Sequence, residues 1–148
     1  MDKEENIKQI ADITLLCDGK VLLVKYKDSN KYDHQKGWFL ADDLIKPDEN
    51  PDDAACRIIK EQLGIREVTS VVINHKESFT GNDKSQHIVY HYLCDLTTIP
   101  DTNISGDIEE EKWFDTDELP DEKEIAHHGW AKYTIERIIS DLDDDDDS

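Results

Sequence analysis

Asp43-Leu44-Ile45-Lys46-Pro47-Asp48-Glu49-Asn50-Pro51-Asp52-Asp53-Ala54-Ala55-Cys56-Arg57-Ile58-Ile59-Lys60-Glu61-Gln62-Leu63-Gly64-Ile65 reads as a loop that hands over to a short helix. Pro47 and Pro51 bracket a turn. Asn50 is suited to cap the helix, Pro51 to take its first position, and Asp52 and Asp53 to sit at the positive end of its dipole. The helix is predicted to run to about Leu63 and to stop at Gly64. Ala54, Ala55, Ile58, Ile59 and Leu63 recur three and four residues apart, which marks the packed side. Arg57, Lys60 and Glu61 lie elsewhere on it.

Outward from this stretch the chain alternates strand-like runs with turns. Ile10 to Cys17 and Lys20 to Lys27 are separated only by Asp18-Gly19, the dipeptide that favours a type I′ hairpin. A polar stretch from Asp28 to Lys36 precedes a short apolar run, Trp38-Phe39-Leu40, which is predicted as a strand with the acidic Ala41-Asp42-Asp43 as loop. Beyond the helix, Glu67 to Phe79 and Gln86 to Leu96 read as strands paired antiparallel about the turn signal Gly81-Asn82-Asp83. Thr97 to Asp107 looks irregular, Lys112 to Phe114 a short strand, and Asp115 to Pro120 a turn. Trp130 to Leu142 closes the chain as a helix, with Trp130, Tyr133, Ile135, Ile138 and Ile139 available for burial. This order predicts an α+β fold with a mixed sheet covered by helices. One domain over residues 1–141 is expected, with 142–148 as a self-repelling, disordered acidic tail.

A chain of 148 residues suffices to bury roughly 70% of its unfolded surface in one core. No apolar run approaches the roughly 20 residues of a membrane span, and the amino terminus has no secretion signal, so a cytoplasmic location is expected. The 36 acids against 17 Lys plus Arg give a net charge of −19. That field disfavours nucleic acid backbones and anionic membranes, both bound mainly through Lys and Arg. It also burdens any site for a polyanion unless a divalent cation mediates the contact. Cys17, Cys56 and Cys94 lack a Cys-x-x-Cys pair and read as reduced thiols.

The stretch from Gly37 to Ile65 resembles the signature region of the Nudix superfamily. Its box runs Gly, five residues, Glu, seven residues, Arg-Glu-aliphatic, one residue, Glu-Glu, one residue, Gly-aliphatic. Anchored on Gly64, the pattern matches at Glu49, Arg57, Ile59, Glu61, Gly64 and Ile65, and departs at Asp43, Ile58 and Gln62. The preceding hairpin, the Gly37-Trp38-Phe39-Leu40 segment, and Trp113-Phe114 followed by Glu118-Leu119-Pro120 support the likeness over about residues 8 to 141. The resemblance implies a Nudix-like α-β-α sandwich.

In that family the glutamates of the box helix hold divalent cations, usually magnesium, that polarise a nucleoside-diphosphate-linked pyrophosphate and activate water. Magnesium takes about six hard oxygen ligands. Helix positions 58, 61 and 62 share one face, and here they carry Ile58, Glu61 and Gln62. By resemblance Glu61 is the catalytic candidate. Glu61, Gln62, Asp43 and Glu110 are the candidate ligands for magnesium or manganese, with Glu110 drawn from the run Glu109-Glu110-Glu111. Asp42 offers a second acid beside Asp43. Gln62 can offer a neutral oxygen but no charge and no general base, and Ile58 offers neither. Glu49, Arg57 and Gly64 form the structural part of the box.

The histidines contribute little in this reading. His87 and His91 share a strand face but lie about 13 Å apart, His127 and His128 are adjacent, and His34 and His75 are isolated. Tyr26, Tyr32 and Trp38 are placed to stack a base, although aromatic residues beside a strand more often serve the core. Three functions are weighed. The first is a Nudix-fold protein with weak or lost hydrolysis that binds a nucleotide-like ligand. The second is a working hydrolase with a rearranged metal site. The third is an acidic module whose tail binds a basic protein. Pairing of long strands across a homodimer is compatible with all three.

Overall fold

Asp18 and Gly19 both take positive φ, 54° and 75°, as a type I′ turn requires. They join β1 (Ile7–Cys17) to β2 (Lys20–Tyr26), the first elements of a computed structural model that describes residues 7–27, 36–66, 71–80 and 84–146. Side chains of 127, 128 and 144–146 are not among those described. There follow β3 (Ala41–Leu44), α1 (Pro51–Glu61), β4 (Val72–Thr80), β5 (Gln86–Leu96), β6 (Ile108–Asp115) and α2 (Ala126–Asp146). The six strands form one mixed sheet in the order β4-β5-β1-β2-β6, with β3 also on β1.

The central strand is β1, which pairs parallel with β5 along its whole length, from Ile7↔Gln86 to Cys17↔Leu96. Its other edge is shared. Near the hairpin it meets β2 at Leu16↔Val21 and Cys17↔Lys20, and farther back it meets β3 from Ile13↔Ala41 to Ile10↔Leu44. Along its other edge β2 pairs with β6 over its whole length; beyond the hairpin it parts from β1, and Phe39 bridges Val24 in the gap.

Alternation along the strands divides the core into two layers. Leu22 and Val24 point with Ala11, Ile13 and Leu15 towards Ile58, Ile59 and Leu63 of α1. Val21 and Leu23 point the other way, towards Ala131, Ile135 and Ile138 of α2. The expected α-β-α sandwich on a mixed sheet is therefore the observed one. No helix among the described residues is long and apolar enough to cross a membrane.

Several local expectations change. Ala41–Asp43 is strand rather than loop, because its backbone pairs with β1, while Trp38 and Phe39 make only isolated bridges. Strand β6 spans Ile108–Asp115, beyond the expected three residues, since β2 offers it a full edge. Helix α2 starts at Ala126 and runs to Asp146. Asp143–Asp146 are thus helical where disorder was expected, because extending a helix already anchored by Ile135 and Ile138 costs far less than starting one. Tyr133 is 55% exposed, with its hydroxyl donating to Glu122 at 2.6 Å, instead of being buried. Tyr32, His34 and the turn Gly81-Asn82-Asp83 lie outside the described residues.

The structural part of the box behaves as its chemistry suggests. Asn50 accepts from the Asp53 backbone N–H, and Pro51 opens α1. Gly64 stands at φ +66°, where an added Cβ would lie 2.5 Å from the Asn103 carbonyl oxygen. Arg57 donates through Nε and Nη2 to both oxygens of Glu49, at 2.9 and 3.0 Å, through Nη1 to Asp43 Oδ2 at 3.0 Å, and through Nη2 to the Leu44 carbonyl. One guanidinium therefore ties β3 and the following loop to the helix. All three charged side chains are 20% exposed or less, so their pairing is poorly screened. The Arg57 hydrogen bonds hold Glu49 below the ordinary carboxylate range, and those of Glu49 raise Arg57 further.

Two expectations follow for stability. Gly64→Ala should cost about 2 kcal/mol or more, from left-handed strain and the carbonyl clash, read as a lowered denaturant midpoint at unchanged m-value. Arg57→Ala should cost about 3 kcal/mol, because it strands two partly buried carboxylates. Since Glu49 titrates lower when folded than when unfolded, its contribution is complete above the unfolded carboxylate range and is lost as pH falls through its folded value. Glu49→Gln should accordingly flatten the acid limb of a stability–pH curve, and an unchanged limb would exclude the ion pair as its source.

Candidate functional site

Of the three α1 positions that would carry magnesium ligands, 58 and 62 are turned into the protein. Ile58 is fully buried among the aliphatics of the α1 layer, where such burial contributes about 2 kcal/mol. Gln62 is also buried, and its amide is held at both ends. Its Oε1 accepts from Tyr26 Oη at 2.7 Å, and its Nε2 donates to the Asp42 carbonyl at 2.7 Å. The same Tyr26 hydroxyl accepts from the Asp42 backbone N–H at 3.0 Å. Gln62 thus ties α1 to β2 and β3 as a neutral strut, a role that a glutamate opposite the Asp42 carbonyl could fill only if protonated. Glu61 is exposed, so it is the one carboxylate that positions 58, 61 and 62 offer.

The other proposed ligands are placed differently from expectation. Asp43 gives one oxygen to Arg57 and the other to the Leu44 N–H at 2.8 Å. Its carboxylate serves the clamp because it lies within reach of the only guanidinium on α1. Glu110 stands opposite Lys25, 3.8 Å from its ammonium, and Lys25 lies over the Trp38 ring in the α2 layer. Strand alternation therefore puts Glu110 on the face away from α1. The same alternation leaves Glu111, opposite Val24, on the α1 side instead. Glu111 accepts from the Thr102 hydroxyl, and its Oε2 is buried without a hydrogen-bond partner. The residues of the box do not fit a magnesium cluster: one site is apolar, one amide is bonded at both ends, and one acid is spent on Arg57.

Tyr26 and Trp38 are core residues rather than stacking platforms. Tyr26 meets Phe39 edge-on at 5.4 Å and Trp38 meets Phe114 at 5.0 Å. An open groove of about 350 Å³ runs between the start of α1, at Asn50, Asp52 and Asp53, and Ile73, Tyr90 and Tyr92 of the sheet. Tyr92 donates to Asp52 at 2.6 Å, and burial, with that carboxylate, raises its pKa. Cys17, Cys56 and Cys94 are all free thiols, and burial pushes Cys94 up to about 11.

On the opposite face the structure assembles a group that the sequence left scattered. Strand pairing sets His75 opposite His91, with the rings stacked at 4.4 Å. Glu77 projects from the same face as His75. Among the described residues, these three are the set whose metal-ligating atoms all lie within 4.8 Å of one another. Burial, then the neighbouring His91, lowers the pKa of His75. Burial also opposes charge on His91, but the hydrogen bond and charge of Asp12, with Glu77, carry it above its ordinary value. A signal existed in the sequence. Residues equidistant from a hairpin centred near Asp83 pair across it, so His75 faces His91, and Glu77 follows at the i+2 spacing of a strand face.

The comparisons with known proteins agree with this architecture. A NUDIX domain model matches residues 8–137. The MutT NUDIX hydrolase from Burkholderia pseudomallei superposes with a TM-score of 0.72 at 21% identity, covering 88% of this chain and 96% of that one. The MutT protein from Methanosarcina mazei Go1 gives 0.73 at 16% identity, with 92% and 95% covered. A C. elegans Ap4A hydrolase gives 0.70 at 17%, with 91% and 97% covered. The comparison with curated proteins returned no match. Identities this low show a shared fold, and the family match over most of the chain carries the classification: the protein belongs to the NUDIX domain family.

Proposed function

We propose that this chain is a Nudix-fold protein in which metal-dependent pyrophosphate hydrolysis is weak or lost and the scaffold serves to bind a nucleotide-like ligand. The observation that carries the reading is the closure of the magnesium face. Ile58 is packed into the core, and Gln62 is held by Tyr26 and Asp42. A lone exposed Glu61 supplies too little charge and too few oxygens to hold magnesium against water. The groove at Asn50, Asp52, Tyr90 and Tyr92 suits the base or ribose end of a ligand. Its aspartates accept hydrogen bonds from amino and hydroxyl groups, and they repel phosphates.

The test is turnover of ADP-ribose, a dinucleoside polyphosphate and nucleoside triphosphates with magnesium or manganese, alongside calorimetric titration of each cation. No turnover above background, with Glu61→Gln indistinguishable from the parent, is the expected result. Turnover that Glu61→Gln abolishes would instead establish a working hydrolase with a rearranged metal site. Adenosine should bind the groove detectably and Tyr90→Ala should weaken it at least tenfold, whereas equal affinity for both proteins would move the ligand elsewhere.

Ile58→Glu, which restores the family residue, should not by itself restore activity. It forfeits about 2 kcal/mol of apolar burial and sets a carboxylate in the core, so a loss of at least 3 kcal/mol is expected in chemical denaturation. A variant as stable as the parent would show that the side chain reaches solvent.

A further inference from the structure

We propose that His75, Glu77 and His91, on the sheet face covered by α2, form a site for a zinc-class divalent cation, separate from the box helix and independent of the function proposed above. His91 Nε2 lies 3.6 Å from Glu77 Oε2, and His75 Nε2 lies 3.4 Å from Glu77 Oε1. These separations are too long for well-formed hydrogen bonds, and both Nε2 atoms are buried without a hydrogen-bond partner. Each separation is close to the edge of a coordination tetrahedron, roughly 3.3 Å when zinc lies about 2.0 Å from each ligand; they run to different Glu77 oxygens, and with one atom from each residue the three lie within 4.8 Å of one another, so a bound ion would draw the side chains together. An unmet polar atom in a side chain that is 0% exposed, as His91 is, carries a free-energy cost that a bound cation removes.

The outer contacts have the form that orients metal-binding imidazoles. His91 Nδ1 lies 2.8 Å from Asp12 Oδ1, and His75 Nδ1 lies 2.6 Å from Asn74 Oδ1. The tautomer that satisfies both contacts carries its proton on Nδ1, and each Nε2 then presents a lone pair towards Glu77. Carboxylate or amide partners of this kind fix ring orientation and raise ligand basicity. The sheet is shaped to permit it. A bulge at Asn74, between the pairs Ile73↔Tyr92 and His75↔His91, sends Ile73 to the groove on the α1 face. It also sets the Asn74 side chain beside the ring of His75.

Charge and chemistry favour the same class of ion. Asp12 and Glu77 supply two negative charges towards a dication, with Arg137 a positive neighbour 3.6 Å from Glu77 Oε1 at the outer edge. Two imidazoles and one carboxylate suit zinc and its neighbours, whereas magnesium prefers oxygen ligands throughout. Three protein ligands leave one tetrahedral position open. Glu77 is the most accessible of the three at 35%, with Arg137 3.6 Å from its Oε1, and Trp130 lies 6.1 Å from the His91 ring.

The experiment is calorimetric zinc titration of the full chain stripped of metal, with cobalt absorption as a report of ligand type. One zinc per chain is expected, unaffected by millimolar magnesium, with cobalt giving the intense visible bands of a four-coordinate nitrogen and oxygen site. His75→Gln and Glu77→Gln should each abolish stoichiometric binding while circular dichroism shows an intact fold. Asp12→Asn should weaken zinc tenfold to a hundredfold. His91→Gln is the less decisive change because that side chain is wholly buried. Zinc binding that survives both His75→Gln and Glu77→Gln would overturn the assignment and direct attention to the aspartates of 141–147. Equal competition by magnesium, or the absence of saturable zinc binding, would overturn it as well.

Discussion

Arg57 is the constraint through which the box region is built. A short loop, Ile45 to Asn50, in which Ile45 is the one aliphatic side chain, has little apolar surface with which to dock itself. Its position is set instead by one planar guanidinium that binds Glu49 in bidentate fashion and reaches Asp43 and the Leu44 carbonyl. Because a fork with five donors satisfies geometry as well as charge, it fixes the angle at which β3 leaves β1 and the point at which α1 begins. A lysine would supply the charge and lose the registration. Asp43, where the family pattern has glycine, is absorbed into this clamp as a second anion, and the substitution there is structural in its effect.

The same helix packs Ile58 and Gln62 against the sheet. In a helix the residues at 58, 61 and 62 share a side, so changes among them act together. With Ile58 drawn into the core, α1 can sit close enough to the sheet for Gln62 to meet Tyr26 and Asp42. A neutral amide can both accept from a hydroxyl and donate to a carbonyl, and an ionised glutamate cannot. Ile58 and Gln62, which look independent in the sequence, thus belong to one contact between α1 and the sheet.

On the other face, polarity is concentrated rather than removed. The layer under α2 is aliphatic around Leu23, Ile135 and Ile138, yet Asp12, His75, Glu77 and His91 gather where β1, β5 and β4 run side by side. A protein with 36 acids against 17 Lys and Arg has carboxylates to spare. Two of them are joined here to a pair of stacked imidazoles.

The sequence by itself determined the elements whose causes are local. Asp18-Gly19 dictated the hairpin through the sign of φ, and Asn50, Pro51 and Gly64 dictated both ends of α1. Apolar spacing named Ala54, Ala55, Ile58, Ile59 and Leu63 as its buried side, and all five are buried. The substituted box also announced that charge was missing from the helix. Tertiary structure alone decided what depends on partners distant in the chain. It turned Ala41–Asp43 into a strand by offering the free half of β1, and it lengthened β6 along β2. The register of β6 on β2 placed Glu111 rather than Glu110 on the α1 side. It also fixed the register that sets His75 against His91, within an antiparallel pairing that the sequence had already announced, and brought Asp12 of β1 beside them.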